Sequence, residues 1–346
     1  METVQHHLAA DETAPVALRQ WLTEAVGLDQ LRFRRPEPIG RSRDIWIVSG
    51  RDGAGEVIEF VSRRETGRGT FSGTTFTLRR EAAILACLEG TAVPVPRVRA
   101  VAEDGDVILI DLVPGTASFE FDDDAVRART VESFLATIAR LHEIDPAVLD
   151  GVVEQPATAA DHALIDLRHH QAAFQEFGAG EAALQRAFDW LHRSVPAQVQ
   201  RTSVLQGDTG PGNFLHLAAE VTGLIDWETS HIGDPMDDLA WMWFRKCFLR
   251  GDEDVVDWYA RYARLSGLHV DHDVVCFYRV LVLVRAAVAT IVRRAHNPGV
   301  EDPKPARMCA LVDAVLRDPY GRGGVSDALP PIMDADGRRR LEKVAP

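Results

Sequence analysis

Lysine is nearly missing from this chain. Only Lys246, Lys304 and Lys343 occur among 38 basic residues, so every basic side chain before position 246 is an arginine. A skewed genomic base composition accounts for such a bias, but its consequence is chemical: a permanent cation needed early in the fold must be a guanidinium. Cysteine is scarce as well. Cys87, Cys247, Cys276 and Cys309 lie far apart and form no CxxC pair, which excludes a zinc knuckle or a disulfide framework and reads as reduced, buried thiols of a cytosolic protein. No Gly-x-x-x-x-Gly-Lys-Ser/Thr occurs, so P-loop chemistry is excluded. Residues 1–11 are acidic and His-bearing, without the basic, then apolar pattern of a leader. The most apolar run, 280–292, is interrupted by Arg285 and too short to span a bilayer, so a buried helix is expected and no membrane partner. Positive charge is in deficit overall: 38 basic against 52 acidic residues leave −14, which argues against a nucleic-acid partner, whose backbone demands a basic face.

What the chain does have is bulk. Its 346 residues are 46% apolar and include 7 Trp, enough for about two domains and for a core that needs no staple. An early helical pattern at 14–26 gives way to alternating segments. Residues 44–48 and 57–61, around an Asp-Gly turn, read as a hairpin. The Gly- and Thr-rich stretch 66–75 reads as a mobile surface loop, 77–88 as an amphipathic helix, and 98–102 with 107–113 as two strands. Past Pro114-Gly115 the pattern is helical, over 124–142, 161–177, 181–194, 236–248, 252–265, 272–295 and 304–317, broken by one short β interlude at 204–225. The final 28 or so residues, rich in Gly, Pro and charge, are expected over the surface.

The interlude holds the chemistry. Residues 214–217 and 221–225 form two apolar strands linked by Ala218-Ala219-Glu220, with Asn213 opening the first and Asp226 closing the second. In an antiparallel hairpin those ends are neighbours, about 5 Å apart. An amide oxygen beside a carboxylate is the hard donor set that Mg²⁺ takes when it keeps water and phosphate oxygens. Asp208, on a turn with Gly207, Gly210, Pro211 and Gly212, can aim a second carboxylate at the same cavity. Either aspartate alone would as readily cap a turn. The joint pattern, Asp-x₄-Asn followed after a hairpin by Ile-Asp, is the base and metal arrangement of protein kinases.

These residues resemble the aminoglycoside phosphotransferase and choline kinase branch of the kinase-like fold. Its hallmarks are matched by Gln206-Gly207-Asp208, Asn213, Ile225-Asp226-Trp227-Glu228 and Gly233-Asp234-Pro235-Met236-Asp237-Asp238-Leu239-Ala240, with Gln206 where the family has His. Val93-Pro94-Val95-Pro96 and Ile110-Asp111-Leu112-Val113-Pro114-Gly115 look like the family's V-P-x-P segment and interlobe connection. The resemblance implies an α+β, bilobal protein-kinase-like fold, with a small β-rich nucleotide-binding lobe at 1–113 and a larger α-helical catalytic and acceptor-binding lobe at 114–346. It implies ATP, or another nucleoside triphosphate, and Mg as cofactors, and γ-phosphoryl transfer to a hydroxyl of a small molecule that is aminoglycoside-, amino-alcohol- or sugar-like. Asp208 would be the catalytic base and Asn213 and Asp226 the metal ligands. Gly40 and Ser42 would cover the phosphates, and backbone groups of Asp111, Leu112 and Val113 would hold the adenine over Leu215 and Ile225. Arg63 would replace the family's strand cation, paired with Glu81; the competing reading makes Arg63 and Arg64 solvated strand-end charges. Asp234 and Asp238 would brace the catalytic loop. Trp241, Trp243 and Phe244 belong either to the core or to the acceptor pocket. The acidic balance would suit a cationic acceptor such as an aminoglycoside. A cytoplasmic enzyme is expected, with no nucleic-acid or membrane partner and the oligomeric state open. The rival is a nucleotide-binding pseudokinase with a sensor or scaffold role, favoured by Gln206 and the thin glycine loop and opposed by the intact Asp208, Asn213 and Asp226.

Overall fold

The computed structural model describes residues 14–27, 29–36, 43–51, 54–178, 180–248 and 255–320. Gly40, Ser42 and the Asp52-Gly53 turn therefore lie outside the described residues. The first lobe is a five-stranded antiparallel sheet: β1 (Asp29–Arg34), β2 (Asp44–Arg51), β3 (Val57–Arg64), β4 (Val98–Val101) and β5 (Val107–Asp111), in the order β1-β2-β3-β5-β4. Strand alternation gives it two apolar faces. Leu109 packs with Phe33, Trp46, Val48 and Phe60 under α1 (Val16–Val26). Ile108 and Ile110 turn to the other face, the side of α2 (Leu78–Leu88), with its Ile84, Leu85 and Leu88. Thr77 caps α2 by accepting the Arg80 N–H at 3.2 Å, which starts the helix one turn before Glu81 needs to face the sheet.

The second lobe is helical: α3 (Asp124–Leu141), α4 (Asp161–Phe177), α5 (Ala182–Arg193), α6 (Pro235–Trp243), α7 (Val256–Ser266), α8 (His272–Ala295) and α9 (Lys304–Leu316). This bilobal arrangement is the kinase-like α+β fold. The Asp122–Asp124 run is a helix start, where the Asp123 carboxylate accepts the Ala125 N–H at 2.7 Å. The expectation that the 280–292 run is too short to cross a bilayer is corrected, because the run lies within the 24-residue α8, among the described residues the one helix long and apolar enough to do so. The expectation of a buried helix holds, with Val280–Val284, Ala287, Val288, Ile291 and Val292 all in the core.

Between these helices lie four short strands, β6 (Ser203–Leu205), β7 (Phe214–Leu217), β8 (Glu220–Leu224) and β9 (His231–Gly233). The β7–β8 hairpin turns on two residues, not three: Ala218 and Ala219 both adopt left-handed φ (51° and 70°), a primed turn without its usual Asn or Gly. Two further expectations are corrected. The helix from 236 does not run evenly to 248 but changes after Trp243 into a π turn, Phe244–Phe248. The 66–75 stretch is held down: Ser72 is buried, its hydroxyl donates to Glu65 at 2.7 Å, its carbonyl meets the His296 ring at 2.9 Å, and Asn297 donates to the Arg68 carbonyl at 3.0 Å. Gly/Thr composition reports backbone freedom, and it cannot report partners more than 200 residues away.

Candidate active site

The loop between β6 and β7 is built to hold one side chain still. Gly207 has φ +81°, and a Cβ there would sit 2.3 Å from the Thr229 carbonyl oxygen, so no other residue fits without moving backbone. Asp238, on the first turn of α6, accepts the N–H groups of Gln206 and Gly207, both at 3.0 Å. Burial would raise the Asp238 pKa, but His142, the Thr209 side chain and the Gly207 N–H outweigh it and lower the value below that of an ordinary aspartate. Gln206, fully buried, donates through one amide nitrogen to the carbonyls of Asn213 (3.0 Å) and Ile225 (2.7 Å). Glutamine in place of histidine thus ties the loop to both strands of the hairpin.

Asp208 and Asn213 come together as the spacing requires. The Asn213 side-chain amide donates to the Asp208 carbonyl at 2.8 Å and to its carboxylate at 2.9 Å, leaving the amide oxygen as the donor atom for a cation. Ile225 pairs with Asn213 across the hairpin, its N–H donating to the Asn213 carbonyl at 3.0 Å, which brings Asp226 to the same end. Asp226 itself has φ +66°, a strained conformation for a non-glycine residue of the kind that collects at functional sites.

Arg63 and Arg64 are separated by strand alternation. Arg64 faces outward to Asp44 (2.7 Å), while Arg63 is buried and pairs with Glu81, with Asp226 (3.0 Å) and, at 3.7 Å, with Glu228. The solvated reading of Arg63 therefore does not apply. Burial opposes its charge, yet Glu81, Asp226 and Glu228 together hold its pKa above the ordinary value. Glu228 is the counterpart: burial first, then the Asp226 carboxylate, pushes it up to about 8 against the pull of Arg43 and Arg63.

The residues expected to hold the base are placed less evenly. The Asp111 N–H is taken by the Arg97 carbonyl (2.9 Å) and that of Leu112 reaches the Glu59 carbonyl (3.5 Å), while the Asp111 carboxylate pairs with Arg99 (2.9 Å). Of the three, Val113 is the one whose backbone no hydrogen bond occupies among the described residues. Leu215 and Ile225 are half-buried on the hairpin.

Three residues outside the expected set belong to this site. Arg43 is buried, donating to the Phe76 carbonyl (2.6 Å) and pairing with Glu65 (2.6 Å) and, at 3.5 Å, Glu228. Glu228 stood in the motif but without a role. Arg245, on the π turn, grips the Asp208 carboxylate with two donors, Nε at 2.6 Å and Nη2, and reaches the Pro211 carbonyl at 3.3 Å. Nothing in the sequence marks it, because its partner lies 37 residues away and a neighbouring helix brings them together.

The donor chemistry fits a magnesium nucleotide. No three His, Cys, Asp or Glu among the described residues form a metal cage, but Mg²⁺ with nucleotide phosphates needs only one or two protein carboxylates. Here an amide oxygen, Asp226 and a buried Glu228 oxygen without a hydrogen-bond partner stand beside two buried guanidinium groups.

A sequence model of the phosphotransferase enzyme family, APH, matches residues 37–278. This chain belongs to that family. An APH fold is also what the comparison of structures returns. Aminoglycoside phosphotransferase APH(4)-Ia, in a ternary complex with ADP and hygromycin B, superimposes with a TM-score of 0.62 at 16% identity, over 89% of this chain and 100% of that one. The streptomycin–ATP complex of APH(2")-IIa gives 0.59 at 11% identity, over 90% and 98%. In sequence, 195 residues are 28% identical to mouse acyl-CoA dehydrogenase family member 10, which is 51% of this chain but 18% of that protein. The chain thus matches less than a fifth of that relative's length.

Proposed function

We propose that this APH-family phosphotransferase is an ATP- and Mg²⁺-dependent kinase that phosphorylates the hydroxyl of a small molecule. The observation that carries the reading is two side-chain sets at one end of the hairpin, Asp208–Asn213 and Asp226–Arg63–Glu81, brought together by the Ile225 N–H on the Asn213 carbonyl. The neighbours' ADP and ATP complexes support the nucleotide. ATP would supply the γ-phosphoryl group, and Mg²⁺ on Asn213 and Asp226 would offset charge on its phosphate oxygens. Asp208 orients the acceptor hydroxyl and takes its proton as the oxygen attacks phosphorus. Arg63, held between Glu81 and Asp226, presents a fixed positive charge to the phosphates. Val113 offers the free backbone for the base, with Leu215 and Ile225 as its apolar floor, and Gly40 and Ser42 belong to the covering segment. In this reading the nucleotide lobe ends at residue 113, the acceptor lobe begins at 114, and the enzyme works in the cytoplasm.

ATP turnover by purified protein against a panel of alcohols tests the reading. Turnover with at least one acceptor, lost in Asp226→Ala, is the expected result. Nucleotide binding that persists while no alcohol is phosphorylated would favour the sensor role instead. Arg63 has its own test: Arg63→Ala should weaken ATP at least ten times more than adenosine, Arg63→Lys should recover part of the loss, and Arg64→Ala should change neither.

A further inference from the structure

We propose that His231 is a positioning residue for the loop that carries Asp208, and that it works as the imidazolium: one ring N–H fixes the Thr229 carbonyl against Gly207 while the other faces the Asp237 carboxylate. The proposal rests on the kinase reading above and adds to it a control by protons.

His231 opens β9 directly opposite Leu205, the last residue of β6 before the loop. Its ring is buried, and both nitrogens face oxygens that can only accept. Nδ1 lies 3.0 Å from the Thr229 carbonyl oxygen, and Nε2 lies 3.3 Å from an Asp237 carboxylate oxygen. A neutral ring carries a hydrogen on one nitrogen and a lone pair on the other. Either tautomer would press that lone pair against a carbonyl or a carboxylate inside the protein, where such a mismatch is costly. The imidazolium alone satisfies both sides. His170 differs, because its Nδ1 meets the Asp166 carbonyl at 3.1 Å and the Asp166 carboxylate at 3.2 Å, and a single N–H serves both. The surrounding charges agree with this assignment. Asp166 of α4 and Asp237 of α6 both act on the His231 ring, and Arg285 of α8 is bound to the same two carboxylates. Arg80 reaches across from α2, but its donors go to the Glu228 and Ser230 carbonyls. The Tyr278 hydroxyl of α8, buried in the same cluster, is kept neutral by burial and by Asp234 and Asp237. Burial works against a charged His231, yet Asp166 and Asp237 outweigh it and raise its pKa above the ordinary value, with Arg285 opposing them.

From the ring the path to Asp208 is short. The Thr229 carbonyl oxygen is the atom that a Cβ on Gly207 would meet at 2.3 Å, the Thr229 hydroxyl donates to the Gly207 carbonyl at 3.1 Å, and Asp208 is the next residue. When the imidazolium loses a proton, the carboxylate keeps its N–H, because the charge-assisted contact is the stronger of the two. The ring then turns a lone pair to the Thr229 carbonyl, and the loop loses that support. The sign follows from the raised pKa: the support is complete below the ordinary histidine value of about 6.5 and is lost as pH rises through the higher folded value.

Two substitutions divide the ring. His231→Asn keeps a donor where Nδ1 stands, His231→Gln keeps one where Nε2 stands, and neither is charged. The test reads the loop directly, as amide hydrogen exchange of residues 203–214 between about pH 5 and 9, corrected for the base catalysis of exchange itself. The His231 ring is followed in parallel by NMR of histidine-labelled protein, its signal assigned by its absence from His231→Gln. The expected midpoint for His231 lies above pH 7. Across that midpoint loop exchange in the wild type should quicken at least ~10-fold relative to His231→Asn, the scale of one charge-assisted hydrogen bond. His231→Gln, which mimics the deprotonated ring, should exchange at least ~10-fold faster than the wild type at pH 7. With an alcohol that turns over, kcat at pH 7 should fall in the Gln variant and stay near wild type in the Asn variant, while Mg·ATP affinity by calorimetry is the same in all three proteins. A His231 ring already neutral at pH 7, loop exchange equal in all three proteins, or an Asn variant loosened as much as the Gln variant would each overturn the proposal and leave the kinase reading standing. Should neither variant fold, the wild-type exchange step and the NMR midpoint must still coincide, and a step at another pH overturns the proposal. Failure to bind Mg·ATP would remove the kinase reading and with it the reaction that His231 serves, a result read separately from the loop.

Discussion

At the scale of single residues the site divides into what short spacing dictates and what only the fold supplies. Asp208, Asn213 and Asp226 lie within one loop and one hairpin, so the geometry that joins them is local and legible. Arg63 was expected from the family resemblance, because the first lobe has no lysine, and alternation along β3 turns it inward to Asp226 while Arg64 faces Asp44. Arg43 and Arg245 were not legible, since each meets its carboxylates across more than 20 residues through packing alone. Asp208→Asn tests the centre of this set. It keeps the size and the hydrogen bond with Asn213 but cannot take a proton, so phosphoryl transfer should fall at least ~100-fold while ATP affinity stays within about twofold, read by single-turnover kinetics and by calorimetry. Wild-type turnover in Asp208→Asn would remove Asp208 as the base. Gly207→Ala should fail differently. Its methyl would strike the Thr229 carbonyl in a conformation that alanine resists, costing at least ~3 kcal/mol of stability, seen as a lower urea midpoint.

At the scale of elements, α6 shows how a helix start serves the site. Asp234 caps it by accepting the Met236 N–H at 3.0 Å, Pro235 fits the first turn where its missing N–H costs nothing, and Asp238 then points back at the loop that carries Asp208. This order is visible in Gly-Asp-Pro-x-x-Asp, but the π turn that follows is not, because an apolar stripe has almost the same period in either helix. The turn matters because it carries Arg245. The cap has a measurable cost. Burial, and more weakly Asp237 and Asp271, push Asp234 up to about 7 despite the Met236 N–H. The folded state therefore holds a proton that the unfolded chain has released above about pH 4, and stability falls as pH rises from about 4 to about 7 on this account. Asn is an equally good cap without the charge. Asp234→Asn should flatten that part of the profile and gain relative to wild type at pH 8, measured by urea unfolding at pH 5, 6, 7 and 8. A difference between the two proteins that stays constant across that range would show that Asp234 does not titrate there.

At the scale of the whole molecule, the two lobes and the site are tied together by buried charge. Arg285 interrupts the most apolar stretch of the sequence, which read correctly as a core helix, yet no local pattern says why an arginine should be there. In the fold it sits on α8 with both Nη atoms on Asp237 of α6, at 2.6 Å each, and Nε on Asp166 of α4, also at 2.6 Å. His170 and His231 stand at 3.2 and 3.3 Å from the same two carboxylates. Asp237 neighbours Asp238, which holds the Asp208 loop, so this cluster fixes the floor of the candidate site from behind. The 66–75 segment does the same from the front, running from Glu65, which pairs with Arg43, to the His296 and Asn297 end of α8. Both ties join residues that are distant in sequence, which is why neither could be read beforehand. Arg285→Met removes the cation from two buried carboxylates while keeping most of the side-chain volume. Its expected cost is about 3–5 kcal/mol, a large share of the roughly 5–15 kcal/mol of a typical domain. Adding Asp166→Asn and Asp237→Asn to Arg285→Met should return much of that loss, because the charges left without a partner are then gone. Equilibrium urea unfolding of the single and triple variants decides the point: a loss under about 1 kcal/mol in Arg285→Met, or no recovery in the triple variant, would mean that packing along α8, and not this charge cluster, holds the lobe behind the site.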